Sequence, residues 1–134
     1  MEKDLSNAYQ SSLIYVALEP CSAVYFLPNY LGGQFGESPS QWKSAVVEFL
    51  IRNLLANLIK PDSPEFHHLN AEEICKIYSD SKPEISTEIW MGVQFNSTKL
   101  LDELLKNEGL YSWDKFNSPT NEEFIQMLNS LYIG

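Results

Sequence analysis

Apolar positions along this chain recur mostly at intervals of three and four residues, the spacing of helices packed through one face. The pattern is densest from Ser38 to Lys60, where Trp42, Val46, Phe49, Leu50, Leu54 and Leu58 line up on one side. Ala45, Val47, Ile51, Leu55 and Ile59 widen that side, and only Lys43, Glu48, Arg52, Asn53 and Asn57 interrupt it. A helix apolar over most of its circumference belongs at the centre of a fold. Ser38 stands where an N-cap is needed, and Pro39 suits the first helical position, where its missing N–H costs nothing. Lys60-Pro61 reads as the stop, because the residue before a proline is pushed out of the α region.

The other elements follow from the same spacing. Leu5, Ala8, Tyr9, Ser12, Leu13 and Val16 predict a helix over 4–18, capped by Asp4 or Ser6 and ended by Glu19-Pro20. Residues 21–31 are short, aromatic and broken by Pro28, which suits a brief helix or an irregular buried segment. Gly32-Gly33-Gln34-Phe35-Gly36 reads as a hinge needing positive φ. It lacks the lysine and hydroxyl of a phosphate loop, and Glu37 stands where an anion would be repelled. After a turn at Pro61–Pro64, Asn70 caps a short helix, AEEICKIYSD, with Glu73 at the capping-box position. Glu72 and Lys76 are spaced to pair on that helix.

Residues 83–95 are ambiguous. Ile89, Met91, Val93 and Phe95 alternate as in a strand, while Ile85, Ile89 and Val93 fit a helix, and Gly92 weakens both patterns. Asn96, Ser97 or Thr98 then opens a helix through Lys106, with Lys99–Glu103 and Asp102–Lys106 at pairing distance and Glu108-Gly109 as its end. Asn121 or Thr120 opens the last helix, whose inward face is Phe124, Ile125, Leu128, Leu131 and Tyr132. The sum is mainly α: a single compact helical domain over 1–134 around a buried central helix. The alternative is an α+β fold with a small strand element near residues 88–95.

Charge changes this picture more than composition does. The formal net charge is -9, and it is unevenly spread. Residues 1–60 hold 5 acids against 4 bases, whereas residues 61–134 hold 13 against 5. Arg52 is the only arginine. Nucleic-acid binding needs clustered Lys and Arg, and anionic membranes need the same, so neither is expected as a partner. The field of the second half attracts a basic partner instead. The N-terminal segment MEKDLSNAYQ lacks the basic start of a secretory signal, and Lys43, Glu48 and Arg52 interrupt the only stretch of membrane length. The expected location is the cytoplasm.

Residues that could carry chemistry are few. Cys21 and Cys75 are the only cysteines and sit among apolar neighbours, which predicts buried free thiols. His67-His68 lies near Glu65, Glu72 and Glu73, but adjacent histidines in extended chain point apart and no HExxH or CxxC spacing is present. Glu72-Glu73, Asp102-Glu103 and Glu122-Glu123 diverge by about 100° on a helix, too far apart to share a proton. No catalytic, metal or cofactor site is therefore expected, and the protein is not expected to be an enzyme.

What remains is an interaction surface. The acids of the second half without a helical partner are Glu73, Asp80, Glu84, Glu88, Glu108 and Asp114, with Glu122 and Glu123 near the end. Trp90, Tyr111 and Trp113 lie among them, with Tyr78 nearby. Aromatic anchors within a charged rim are the composition of a binding face. In size, acidity and the second half from AEEICKIYSDSKPEISTEIW to GLYSWDKFNSPTNEEFIQMLNSLY, the chain resembles the small acidic immunity proteins of bacterial toxin–immunity systems, such as contact-dependent growth inhibition. The resemblance implies a cognate toxin domain, often a basic nuclease, as the partner. It identifies no individual residue. Type III secretion chaperones are similar in length and acidity, so a chaperone or adaptor binding an effector segment is the alternative.

Overall fold

The computed structural model describes residues 1–133. Six helices surround a small sheet: α1 (Lys3–Leu18), β1 (Cys21–Ser22), α2 (Pro39–Leu55), β2 (Ile59–Pro61), α3 (Ala71–Ser79), α4 (Thr87–Trp90), β3 (Gln94–Ser97), α5 (Lys99–Asn107) and α6 (Glu122–Ile133). The fold is mainly α, as the spacing predicts, and the small strand element is present as well. The sheet is antiparallel in the order β1-β3-β2. Phe95 is its centre, opposite Cys21 on one side and Pro61 on the other. Pro61 is tolerated because β2 is an edge strand, and the next N–H, of Asp62, closes the ladder on the Gln94 carbonyl at 2.8 Å.

The ambiguous stretch 83–95 is both things in succession. Thr87–Trp90 is one helical turn, and the strand begins only at Gln94. Gly92 lies between them, where a Cβ would meet the Glu88 carbonyl oxygen at 2.5 Å.

The central helix is shorter than its apolar pattern suggests. It ends at Leu55, not at Lys60-Pro61. Asn57 adopts φ 59°, its N–H donates to the Leu54 carbonyl at 3.1 Å, and the Leu58 N–H donates to the Asn53 carbonyl at 2.9 Å. That pair of bonds around a left-handed residue is a Schellman stop, here built on asparagine. Ending early releases Ile59–Pro61 to pair with β3. Gly109 makes the same stop after α5, with φ 69° and the Leu110 N–H bonded to the Leu105 carbonyl at 2.8 Å.

Other local expectations divide. Asn70 and Glu73 form the reciprocal capping box. Thr98 and Asn121 accept from the Leu101 and Phe124 N–H groups and so open α5 and α6. Ser38 caps α2 by position alone, without a side-chain bond, and α1 starts at Lys3 after Glu2, ahead of either predicted cap. Lys76 pairs with Asp80 at 2.9 Å and not with Glu72. Asp102 accepts from the Ser97 hydroxyl at 2.6 Å, leaving Lys106 to sit 4.9 Å over the Tyr111 ring.

The core is a row of aromatic rings. Tyr9 meets Phe49 at 4.9 Å, Phe49 meets Phe26 at 4.8 Å, and Phe26 meets Phe95 at 6.1 Å. Phe95 leads to Tyr78 at 6.0 Å, then Trp90 at 5.1 Å and Trp42 at 5.9 Å. All seven side chains are buried. Around the row, α1 buries Ser6, Gln10, Ser11 and Ser12. Three of these bond to distant chain: Gln10 to Pro119 and Asn121, Ser11 to Phe116, and Ser12 to the Leu27 N–H.

A left-handed residue other than glycine costs about 1–2 kcal/mol, less for asparagine than for most. Asn57→Ala is therefore expected to lower unfolding free energy by about 1 kcal/mol, and Asn57→Gly to leave it unchanged or raise it. Urea unfolding of the three proteins measures this, and equal losses for both variants would show that the Schellman stop is not what Asn57 contributes.

Candidate interaction surface

The nine residues expected at a partner surface fall into two groups on different parts of the fold. Glu73, Asp80, Glu84, Glu88 and Trp90 belong to α3, α4 and the loop between them, beside α2. Glu108, Tyr111, Trp113 and Asp114 follow α5, and two of them reach α1: Trp113 packs edge-on to Tyr15 at 5.4 Å, and the Tyr111 hydroxyl donates to the Ala17 carbonyl at 3.4 Å. No hydrogen bond or ion pair among the described residues joins the two groups.

In the first group the chain's own needs absorb several members. The Glu73 carboxylate accepts from the Asn70 N–H in the capping box, and Asp80 holds Lys76. Trp90 is fully buried, its indole N–H donating to the Ser81 hydroxyl at 2.8 Å. It is a core residue, not a surface anchor, because its helical turn faces Tyr78 and Trp42. Ile85 and Met91, on the same segment, are the apolar side chains that reach solvent. Glu84 and Glu88 are exposed and outside every ion pair formed among the described residues.

In the second group Trp113 is half-exposed and Asp114 fully so. A hydrogen bond from the Ser112 hydroxyl, aided by Lys115, holds the Asp114 carboxyl below its usual range. Glu108 occupies the C-cap of α5 and lines a groove of about 540 Å³ between α5 and α6. Leu104, Met127 and Leu131 form its apolar part, with Glu108 and Glu123 as its charged groups. Gln126 and Ser130 complete the lining, which contains no lysine or arginine. Glu123 is legible in the sequence only as one unpaired acid among many. Its spacing of four and eight from Met127 and Leu131 is the signal that places all three on one helical stripe.

Several other titratable groups are packed into the interior. Burial pushes the Cys21 and Cys75 thiols up to about 12, with Glu19 adding to the first and Glu72 to the second, and both cysteines are free. Burial also raises the phenols of Tyr9, Tyr78 and Tyr132. His67 and His68 are exposed after the turn Pro64–Phe66. Among the described residues no three His, Cys, Asp or Glu side chains converge as metal ligands would. A cleft of about 1090 Å³ is lined by Arg52, but that guanidinium is already committed: to Glu48 at 3.0 Å, to the Tyr9 hydroxyl at 3.2 Å and over the Tyr132 ring at 5.8 Å. It ties α1, α2 and α6 together. Among the described residues no helix is long and apolar enough to cross a membrane.

Two measurements separate core from surface. Trp90→Ala is expected to cost about 3–5 kcal/mol of unfolding free energy, as emptied core sites do, and Trp113→Ala much less. A Trp113 loss as large as that of Trp90 would place both rings in the core. Thiols titrating near 12 stay protonated at pH 8, so a disulfide reagent such as Ellman's reagent should react with neither cysteine in the native protein and with both in denaturant. Fast native reaction at either would contradict its burial.

No protein-family model, no curated protein and no solved structure matches this chain.

Proposed function

We propose that the protein is an immunity-type inhibitor, which binds a basic toxin domain stoichiometrically and blocks it. The observation that carries this reading is the α5–α6 groove, where Glu108 and Glu123 flank accessible Leu104, Met127 and Leu131 without any basic residue in the lining. Glu73 and Asp80 are used in a cap and an ion pair, but here two carboxylates border an apolar groove directly. Such an arrangement accepts a basic element that also carries apolar side chains. The carboxylates steer the encounter, and the apolar floor slows dissociation. Methionine at the floor adapts to the shape of what enters. Trp113 and Asp114, a few residues beyond Glu108 along the chain, add an exposed ring and a carboxylate to the candidate residues. The excess of acids over bases across residues 61–134 acts at longer range in the same direction.

The test uses the toxin domain encoded beside this protein's gene, purified in folded form. The wild-type protein should bind it and abolish its activity. Glu108→Gln with Glu123→Gln should slow association about tenfold at low ionic strength and flatten its salt dependence, with dissociation nearly unchanged. Unchanged association in the double variant would place the interface elsewhere. Failure of the wild-type protein to inhibit would remove the immunity reading, and binding only to an unfolded segment would turn it into a chaperone.

A further inference from the structure

Phe35 is a side chain that the fold does not use. It is 90% exposed, more than any other large apolar residue described. Yet the backbone that carries it is closely determined. Leu31, Gly32 and Gly33 all have positive φ, at 55°, 80° and 71°. A Cβ on Gly36 would lie 2.2 Å from the Leu31 carbonyl oxygen, and one on Gly33 3.0 Å from that of Pro28. What the sequence suggests is a hinge is a tightly wound turn. Leucine in the left-handed region is unfavourable, and such outliers persist where surrounding structure enforces them.

The turn forms one side of a cleft of about 460 Å³, a volume within the range of about 300–1,000 Å³ usual for small-molecule sites. Trp42 and Pro39 of α2 line the cleft with Phe35 and Pro83. Trp42 is buried, its indole N–H spent on the Phe26 and Leu27 carbonyls, so it closes the back of the cleft, and the exposed Phe35 and Pro39 supply the accessible apolar surface. Lys43 and Lys82 both line the cleft, opposed by Glu84 alone. On a chain carrying twice as many acids as bases, this is a local reversal of sign. Neither lysine belongs to an ion pair among the described residues. Lys43 donates one hydrogen bond, to the Ser79 carbonyl at 2.9 Å, and an ammonium has three to give.

We propose that this cleft binds a small organic acid consisting of one carboxylate on an aromatic or compact apolar body. The carboxylate pairs with Lys43 and Lys82, the body lies against Phe35 and Pro39, and Glu84 limits the ligand to a single negative charge. The site is independent of the α5–α6 groove, and neither reading depends on the other.

Titration with phenylacetate, followed by amide NMR shifts, tests the proposal. Saturable shifts are expected over 33–43 and 82–84. The charge-reversed analogue 2-phenylethylamine should produce none. Lys43→Ala with Lys82→Ala should weaken phenylacetate binding about tenfold or more, as loss of charged hydrogen bonds does. Phe35→Ala should also weaken it while leaving the spectrum of the remaining fold in place. A peptide ending in a free phenylalanine carboxylate presents the same chemistry. Its binding, set against that of the amidated peptide, tells whether the natural source is a free acid or a chain terminus. Absent or non-saturating shifts with both free carboxylates, equal binding of the amine, or full affinity in the double lysine variant would each overturn the proposal.

Discussion

The structure depends on Phe95. It is the one residue of the sheet that faces both flanking strands, paired with Cys21 and Pro61, and it is also the middle ring of the aromatic row. On one side of it lie Phe26, Phe49 and Tyr9, which bring α1 and α2 together. On the other lie Tyr78, Trp90 and Trp42, which fasten α3 and α4 to the start of α2. Edge-to-face and tilted ring pairs add about 0.5–1.5 kcal/mol each beyond the area they bury. A three-strand sheet of two to four residues per strand is too small to persist alone. The rings hold it, and the sheet in turn fixes where the rings meet.

That arrangement explains why polar residues sit deep in α1. The long connections after β1 and α5 cross the surface of this helix, and their backbone groups need partners once water is excluded. Gln10, Ser11 and Ser12 supply them. The Ser12 hydroxyl accepts the N–H of Leu27, a buried residue held at φ 51° whose carbonyl accepts from Trp42. The left-handed Leu27 is thus fixed on both sides by side chains of α1 and α2.

Charge is distributed by the same logic. Carboxylates near helix starts are drawn into caps, as Glu73 is, or into pairs along a helix, as Asp80 is. The carboxylates of Glu108 and Glu123 enter neither a cap bond nor an ion pair among the described residues and gain their setting from the approach of α6 to α5. The two candidate sites differ in sign for this reason. One lies between helices whose facing positions are acidic, and the other lies where a lysine of α2 happens to face a lysine of the loop after α3.

The sequence by itself determined what depends on neighbours within about one helical turn. The mainly α character follows from apolar spacing, the capping box from Asn70 and Glu73, the end of α5 from Gly109, and the buried state of the cysteines from their apolar surroundings. Each is a matter of a few adjacent residues and their hydrogen bonds. Only the tertiary structure decided the rest. Asn57 ends α2 because Ile59–Pro61 has a strand to join, a partner 35 or so residues away that no local pattern announces. Trp90 looks like a surface anchor in a run of acids and becomes a core ring because Tyr78 and Trp42 come to meet it. Phe35 looks like one more apolar residue and stays in water because the tightly wound turn that carries it holds it out of the core. Burial is a property of where distant segments converge, and that convergence assigned each aromatic residue its side of the surface.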